Sequence, residues 1–341
     1  MTMQPQSNDT AIVITSINHP TACMKAFAEG AIPRQTGIIV VGDRKSPADF
    51  HLDGCTFLAL ADQAAAFPRF AGLLPLNSYA RKNIGYLWAL KTGARQIIDT
   101  DDDNAPFPSF WTPRSKTVDG RLVERNGWIN AYAYFSDALI WPRGLPLDQI
   151  RQPDAAPAAN GRAQRVCPVQ QGLADDNPDV DAVYRLILPL PVKFTSGDDI
   201  VLAPGAWCPF NSQNTHWWPE AFPLLYLPSY CSFRMTDIWR SFVVQRILWA
   251  NDWCVSFHAA TVYQDRNEHN LMRDFEDEIP GYVNNSRIAG TLADLDIRPG
   301  AENHGDNLRA CYSALVRLGV VGVEEMPLLD AWIDAVESLT P

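Results

Sequence analysis

Gln96-Ile-Ile-Asp-Thr-Asp-Asp-Asp-Asn-Ala-Pro106 is a short apolar run that stops in a cluster of acids. Ile97 and Ile98, following Gly-Ala-Arg, read as a buried strand, and Asp99, Asp101, Asp102 and Asp103 sit where that strand ends. Carboxylates this crowded repel one another, a cost that falls when a divalent cation bridges their oxygens. Hard cations such as Mg²⁺ or Mn²⁺ take oxygen ligands and commonly share them with a substrate's phosphates. In an open α/β sheet, ligands bind just beyond the carboxyl ends of the strands, where these acids fall. The stretch therefore predicts a metal-diphosphate site on an α/β sheet.

Three other readings compete. An acidic turn can be no more than a solvated surface loop. A calcium loop fits the alternation of Asp99, Asp101 and Asp103, but Asn104 stands where the sharp turn needs Gly and Phe110 where a bidentate Glu belongs. An aspartyl-phosphate enzyme using Asp99 and Asp101 is compatible with the spacing. Its acid pair usually begins a domain, whereas here roughly a hundred residues of α/β pattern precede it.

Working toward the N-terminus, Asn77 to Gly93 reads as a helix with Asn77 as N-cap and Gly93 as terminator. Arg81 and Lys82 near its start oppose the helix dipole, which makes sense if an anion such as phosphate lies alongside, or if both pair with the acid cluster. Ala11-Ile-Val-Ile-Thr-Ser-Ile17, Ile38-Ile-Val-Val-Gly-Asp43 and Thr56 to Leu60 read as further strands, with a helix over 21–30. Apolar strands alternating with helices imply a mainly parallel sheet covered on both faces. Asp43 then projects from a strand end, either toward a ribose or base or as a turn-forming Asp after Gly.

Toward the C-terminus, Trp128 to Phe135 reads as a strand, and 142–191 as a loop-dominated stretch with one helix-like segment near 178–185. Gln170 to Asp181 is dense enough in polar groups to line a cleft, and Asn211 to Thr215, set between aromatics, offers donors suited to sugar hydroxyls or to its own turn. Thr236 is the predicted N-cap of the next helix. Asp237 in its first turn is either a dipole partner or a general base on an acceptor hydroxyl. His258 follows the strand-like Trp253 to Phe257, as a structural imidazole or as a nitrogen ligand completing a mixed metal site. The predicted organisation is a disordered 1–10, a catalytic domain over 11–283 and a helical appendage over 284–341, with helices from Asn307 to Leu318 and Glu324 to Leu339.

The 341 residues carry a formal net charge of −11, with 47% hydrophobic and 20% charged residues. An acidic chain without basic runs argues against nucleic acid as a partner. Seven cysteines without a Cys-x-x-Cys pair read as reduced thiols. There is no apolar signal core, and Arg240, Arg246 and Asp252 interrupt the most apolar later stretch. A soluble cytoplasmic protein is expected, with peripheral membrane association left open.

Thr15-Ser-Ile-Asn18, Val40-Val-Gly-Asp43, Asn77 to Gly85, Asp99 to Asn104, Pro209 to Thr215 and Asp237-Ile-Trp-Arg240 together resemble the family containing the plant STELLO proteins. These are probable glycosyltransferases of GT-A fold, and the likeness covers most of positions 11 to 280. The resemblance implies a hexosyl- or pentosyltransferase acting on a nucleotide-sugar donor, with a UDP-sugar as the first guess, and on a glycan or glycoconjugate acceptor in polysaccharide biosynthesis. It puts Asp101 and Asp103 in the Asp-x-Asp role, holding the metal and the donor diphosphate; the expected ion is Mn²⁺ or Mg²⁺, with His258, on the residue pattern alone, as a further ligand. Thr15, Asn18, Asp43 and Asn77 are expected at the donor, as are Arg81, Lys82, Asn83, Asp101 and Asp102, and Asp237 is the expected base. The Golgi anchoring of the plant proteins and their cellulose-related partners are not carried over. The triple Asp and the Gln170-Gln-Gly-Leu region are also similar to UDP-arabinopyranose mutases. A nucleotide-sugar mutase and a non-catalytic sugar-binding scaffold are therefore the alternatives.

Overall fold

A computed structural model describes residues 9–152, 155–266 and 270–339. Four short strands form the first half of the sheet, β1 (Thr10–Thr15), β2 (Gly37–Val41), β3 (Cys55–Leu58) and β4 (Gln96–Thr100), with β1 and β2 the richest in β-branched residues. They lie in the order β3-β2-β1-β4, all parallel. Between them run α1 (Ala22–Ala31), α2 (Leu60–Ala66), α3 (Pro68–Leu73) and α4 (Lys82–Lys91). Thr21 caps α1 by accepting the Met24 amide at 3.0 Å, which fixes the helix start expected from sequence. Gly85 lets α4 lie close on the sheet: a Cβ there would stand 2.5 Å from a Val13 methyl and 2.7 Å from a Val41 methyl.

The second half continues through β5 (Asn104–Pro106), β6 (Thr117–Val123), β7 (Gly127–Trp128), β8 (Arg162–Val166) and β9 (Val169–Asp175). After α5 (Ala182–Ile187) come β10 (Ile200–Leu202), β11 (Ala206–Trp207), β12 (Asn214–Trp217), α6 (Thr236–Ala250) and β13 (Val255–Gln264). The sheet extends as β4-β12-β9-β13-β10-β6-β8, with β5 paired on β13, while β7 and β11 form a separate pair. β12 is antiparallel to both β4 and β9, and β13 is parallel to β9. Consequently β1, β2, β4, β9 and β13 all end at one edge of the sheet. This is the GT-A-like α/β architecture expected from the sequence.

Several expectations are corrected. Trp128 to Phe135 is no strand: only Gly127–Trp128 pairs, and Ala131–Tyr134 is a 3-10 turn. Asn77 does not cap α4. Its φ is 54°, Ser78 caps the short turn Tyr79–Arg81, and the helix begins at Lys82. Met235, not Thr236, stands at the N-cap of α6. Asp9 and Thr10 are ordered: the Asp9 carbonyl accepts the Arg95 and Gln96 amides, and Thr10 opens β1. The rest of the stretch expected to be disordered lies outside the described residues.

The boundary expected at 283/284 falls inside α7 (Leu271–Ala293). α8 (His304–Arg317) and α9 (Glu325–Leu339) share one core with the sheet, where Leu315 and Trp332 belong to the same apolar cluster as Val13 and Ile97. Glu325 locks this packing, accepting the amides of Ser229 and Tyr230 at 2.9 and 2.7 Å. The seven cysteines are free thiols, and no helix among the described residues is long and apolar enough to cross a membrane.

Candidate active site

At the shared carboxyl edge lies a cleft of about 490 Å³. Its lining follows the strand ends: Thr15 at the end of β1 and Ser16 just past it, Asp43 beyond β2, Asp101, Asp102 and Asp103 beyond β4, Asp179 beyond β9, and Gln264 at the end of β13 with Arg266 just past it. Antiparallel β12 starts at this edge, so Asn211 and Gln213 just before it join the lining.

The acid cluster divides by burial. Asp99 is fully buried between two cations, with Lys82 Nζ 2.7 Å from Oδ1 and Arg240 Nη2 3.1 Å from Oδ2. Asp101 faces the cleft, and its Oδ1 accepts from the Tyr79 hydroxyl at 2.8 Å and from Lys82 at 2.9 Å. Burial raises its pKa, against the pull of Lys82. Asp102 accepts from Ser16 Oγ at 2.6 Å and Asn18 Nδ2 at 3.0 Å, so it holds the loop after β1. Asp103 accepts from Gln264 Nε2 at 2.9 Å through Oδ2, while its buried Oδ1 has no partner. Burial, reinforced by Asp101, pushes the Asp103 carboxyl up to about 7.

On the far bank, Arg143 binds Asp237 at 3.1 and 2.9 Å and Asp179 at 2.8 Å twice. The Ser212 amide at 3.3 Å and the Ile238 amide at 3.0 Å complete Asp237, leaving each oxygen with two donors. Arg234 grips Glu278 at 3.0 and 2.8 Å, and Arg266 pairs with Asp274 at 3.1 Å. Burial, then repulsion by Arg234, lowers the Arg266 pKa.

A model of the STELLO glycosyltransferases matches residues 234–340, which hold Asp237, Gln264 and Arg266 of this cleft and the three C-terminal helices. The chain is 30% identical over 311 residues to "Probable glycosyltransferase STELLO2" of Arabidopsis thaliana, and 30% over 291 residues to "Probable glycosyltransferase STELLO1" of the same plant. In sequence it resembles the STELLO proteins. The matches cover 81% and 75% of this chain but only 38% and 36% of those relatives.

In this chain, Thr15, Asn18, Asp43, Asn77, Arg81, Asp101, Asp102, Asp103 and Asp237 all meet in the cleft. Lys82, Asn83 and His258 are not among its lining residues. Lys82 is fully buried and bound to Asp99, Asp101 and the Thr100 carbonyl, the last at 2.6 Å, so it has no free path to a phosphate. Arg81 is tied down almost as fully, with Nε on Gln63 at 2.9 Å and Nη1 on the Leu74 and Pro75 carbonyls. Asn83 bridges both polar groups of Leu227. His258 sits in the sheet beside His216, with Nδ1 2.9 Å from the Ala259 carbonyl, and burial holds its pKa well below the usual range. Among the described residues no three His, Cys, Asp or Glu side chains converge to hold a metal.

Asp43 accepts the Arg44 amide at 2.6 Å and the Ser78 amide at 2.9 Å, so it is a turn former that also lines the cleft. Gln170 and Gln171, expected at a cleft, are buried in β9, where Gln170 donates to the Ser115 and Cys167 carbonyls and Gln171 to those of Gly172 and Asn214. Arg143, Arg234, Arg266, Gln264, Tyr79 and Phe233 were not singled out from sequence. The signal for Gln264 and Arg266 was position at and just past the end of a strand, usable only once that strand's direction is known.

Proposed function

We propose that the chain is a metal-dependent glycosyltransferase moving a sugar from a nucleotide-diphosphate donor to a hydroxyl of a glycan or glycoconjugate. The observation carrying this reading is Asp103, whose buried Oδ1 lacks a partner beside Asp101 in a cleft at the strand ends. A carboxylate oxygen left in that state calls for a cation. Two carboxylates completed by diphosphate oxygens and water suit Mn²⁺ or Mg²⁺, which do not need an all-protein cage. When bound, such a cation neutralises charge on the departing nucleoside diphosphate. The names of both relatives support the class of reaction.

In this reading Thr15, Asn18, Asp43 and Asn77 surround the nucleoside, and Asp101 and Asp103 hold the cation. Lys45, exposed on the rim, takes the phosphate-facing place expected of Lys82. Asp237 positions rather than abstracts, because a base needs a free lone pair and each of its oxygens already accepts twice.

Calorimetry with UDP-sugars and other nucleotide sugars, with and without Mn²⁺, tests the assignment. Asp103→Ala should abolish the metal-dependent part of binding, and unchanged affinity removes the metal from the reading. Isomerisation of the donor without any acceptor would make the chain a nucleotide-sugar mutase instead.

A further inference from the structure

Phe233 and Tyr79 are the two aromatic rings of a cleft whose other apolar lining comes from Ile17 and Val41. Phe233 opens the 3-10 turn Phe233–Met235, and 59% of its surface is exposed although it lines the cleft. Its ring meets Tyr79 edge to face, with centroids 6.1 Å apart and planes at 79°. Tyr79 is fixed in turn, since its hydroxyl donates to Asp101 at 2.8 Å and accepts from Lys82 at 3.0 Å. The backbone carrying Phe233 is anchored too: the Arg234 carbonyl accepts from Arg143 Nη1, and the Arg234 guanidinium grips Glu278. The ring is therefore held on one side and open on the other.

An aromatic face of this kind gains by covering the apolar C–H face of a sugar or the plane of a base. Its place between the cleft's two ends separates these. The nucleoside end, at Thr15 and Asp43, belongs to β1 and β2. Phe233 lies one side chain beyond Asp101, next to the Arg143–Asp237 bank. With the diphosphate at Asp101 and Asp103, the group bonded to its far end is the sugar. We infer that Phe233 is the platform on which the donor's sugar ring lies, an assignment that rests on the transferase reading above.

The test is calorimetry on the full chain in Mn²⁺, comparing nucleotide sugars with their matching nucleoside diphosphates. Phe233→Ala should bind the nucleoside diphosphate as the wild type does and lose about tenfold in affinity for the nucleotide sugar, as removal of a half-buried phenyl contact predicts. Phe233→Trp should recover most of the loss. The melting temperature should not move, because the ring is exposed; if Phe233→Ala lowers it, Phe233→Leu carries the same comparison. Equal losses for both ligands, or no loss, overturn the platform while leaving the transferase reading intact. A wild-type chain that binds no nucleotide sugar overturns both.

Discussion

Arg143 clasps Asp237 through two parallel bonds, Nη1 to Oδ1 at 3.1 Å and Nη2 to Oδ2 at 2.9 Å, while also holding Asp179. One guanidinium thus ties the first turn of α6 to the segment after β9. Removing one partner of a buried ion pair typically costs about 3–5 kcal/mol, because the other charge is left uncompensated. Asp237→Ala should show a loss of that order in urea unfolding. A variant as stable as the wild type but inactive in transfer would return Asp237 to the role of base.

Lys82 offers a second contrast between structural and ligand-binding roles. It is buried between Asp99 and Asp101, and Lys82→Ala strands a buried carboxylate, for which a destabilisation of about 3–5 kcal/mol is expected. A phosphate-binding lysine on a surface would instead leave stability unchanged and weaken donor binding. Denaturation and calorimetry on the same variant separate the two.

Ligand-linked stability reports on Asp103. A nucleoside diphosphate with Mn²⁺ at a hundred times its Kd should add about 2.7 kcal/mol to the native state and raise the melting temperature. Asp103→Asn should erase the part of that shift that depends on Mn²⁺. An identical shift in the variant would place the metal elsewhere.

Asp181 gives stability a pH dependence away from the cleft. It accepts the Tyr184 amide and Trp141 Nε1, both at 2.7 Å, yet burial pushes its carboxyl from 3.8 up to about 6. Between those values the folded chain binds the proton that the unfolded chain has released, so this group's contribution falls as pH rises through the window. Below it the acid is protonated in both states, and above it ionised in both. Asp181→Asn should flatten the slope of unfolding free energy between about pH 4 and 6, measured by denaturant titration.

Gly85 tests the packing of α4 on the sheet. An added methyl would overlap Val13 and Val41, at 2.5 and 2.7 Å from the nearest atoms of each. Gly85→Ala should therefore destabilise by about 1–3 kcal/mol, the range for overpacked cores, despite alanine's better helix propensity. A stabilised variant in thermal melts would show that the helix can rise off the sheet at little cost.

The sequence by itself determined the first half of the fold and one side of the cleft. Runs such as Ile12 to Ile14 and Ile38 to Val41 are β-branched and apolar throughout, so their strands are specified locally, and Asp43 and Asp101 to Asp103 follow as strand-end residues. Tertiary structure decided the rest. That Gln264 and Arg266 face Asp103 depends on β13 running parallel to β9, and so to β4, across an antiparallel β12, an arrangement that no local pattern encodes. Burial was equally invisible. Four neighbouring aspartates look alike in a linear string, yet Lys82 and Arg240, one of them from a helix 141 residues away, neutralise Asp99 in the core and leave Asp103 with a bare oxygen. Electrostatic partners are chosen by distance in space, and that is set only when the sheet closes.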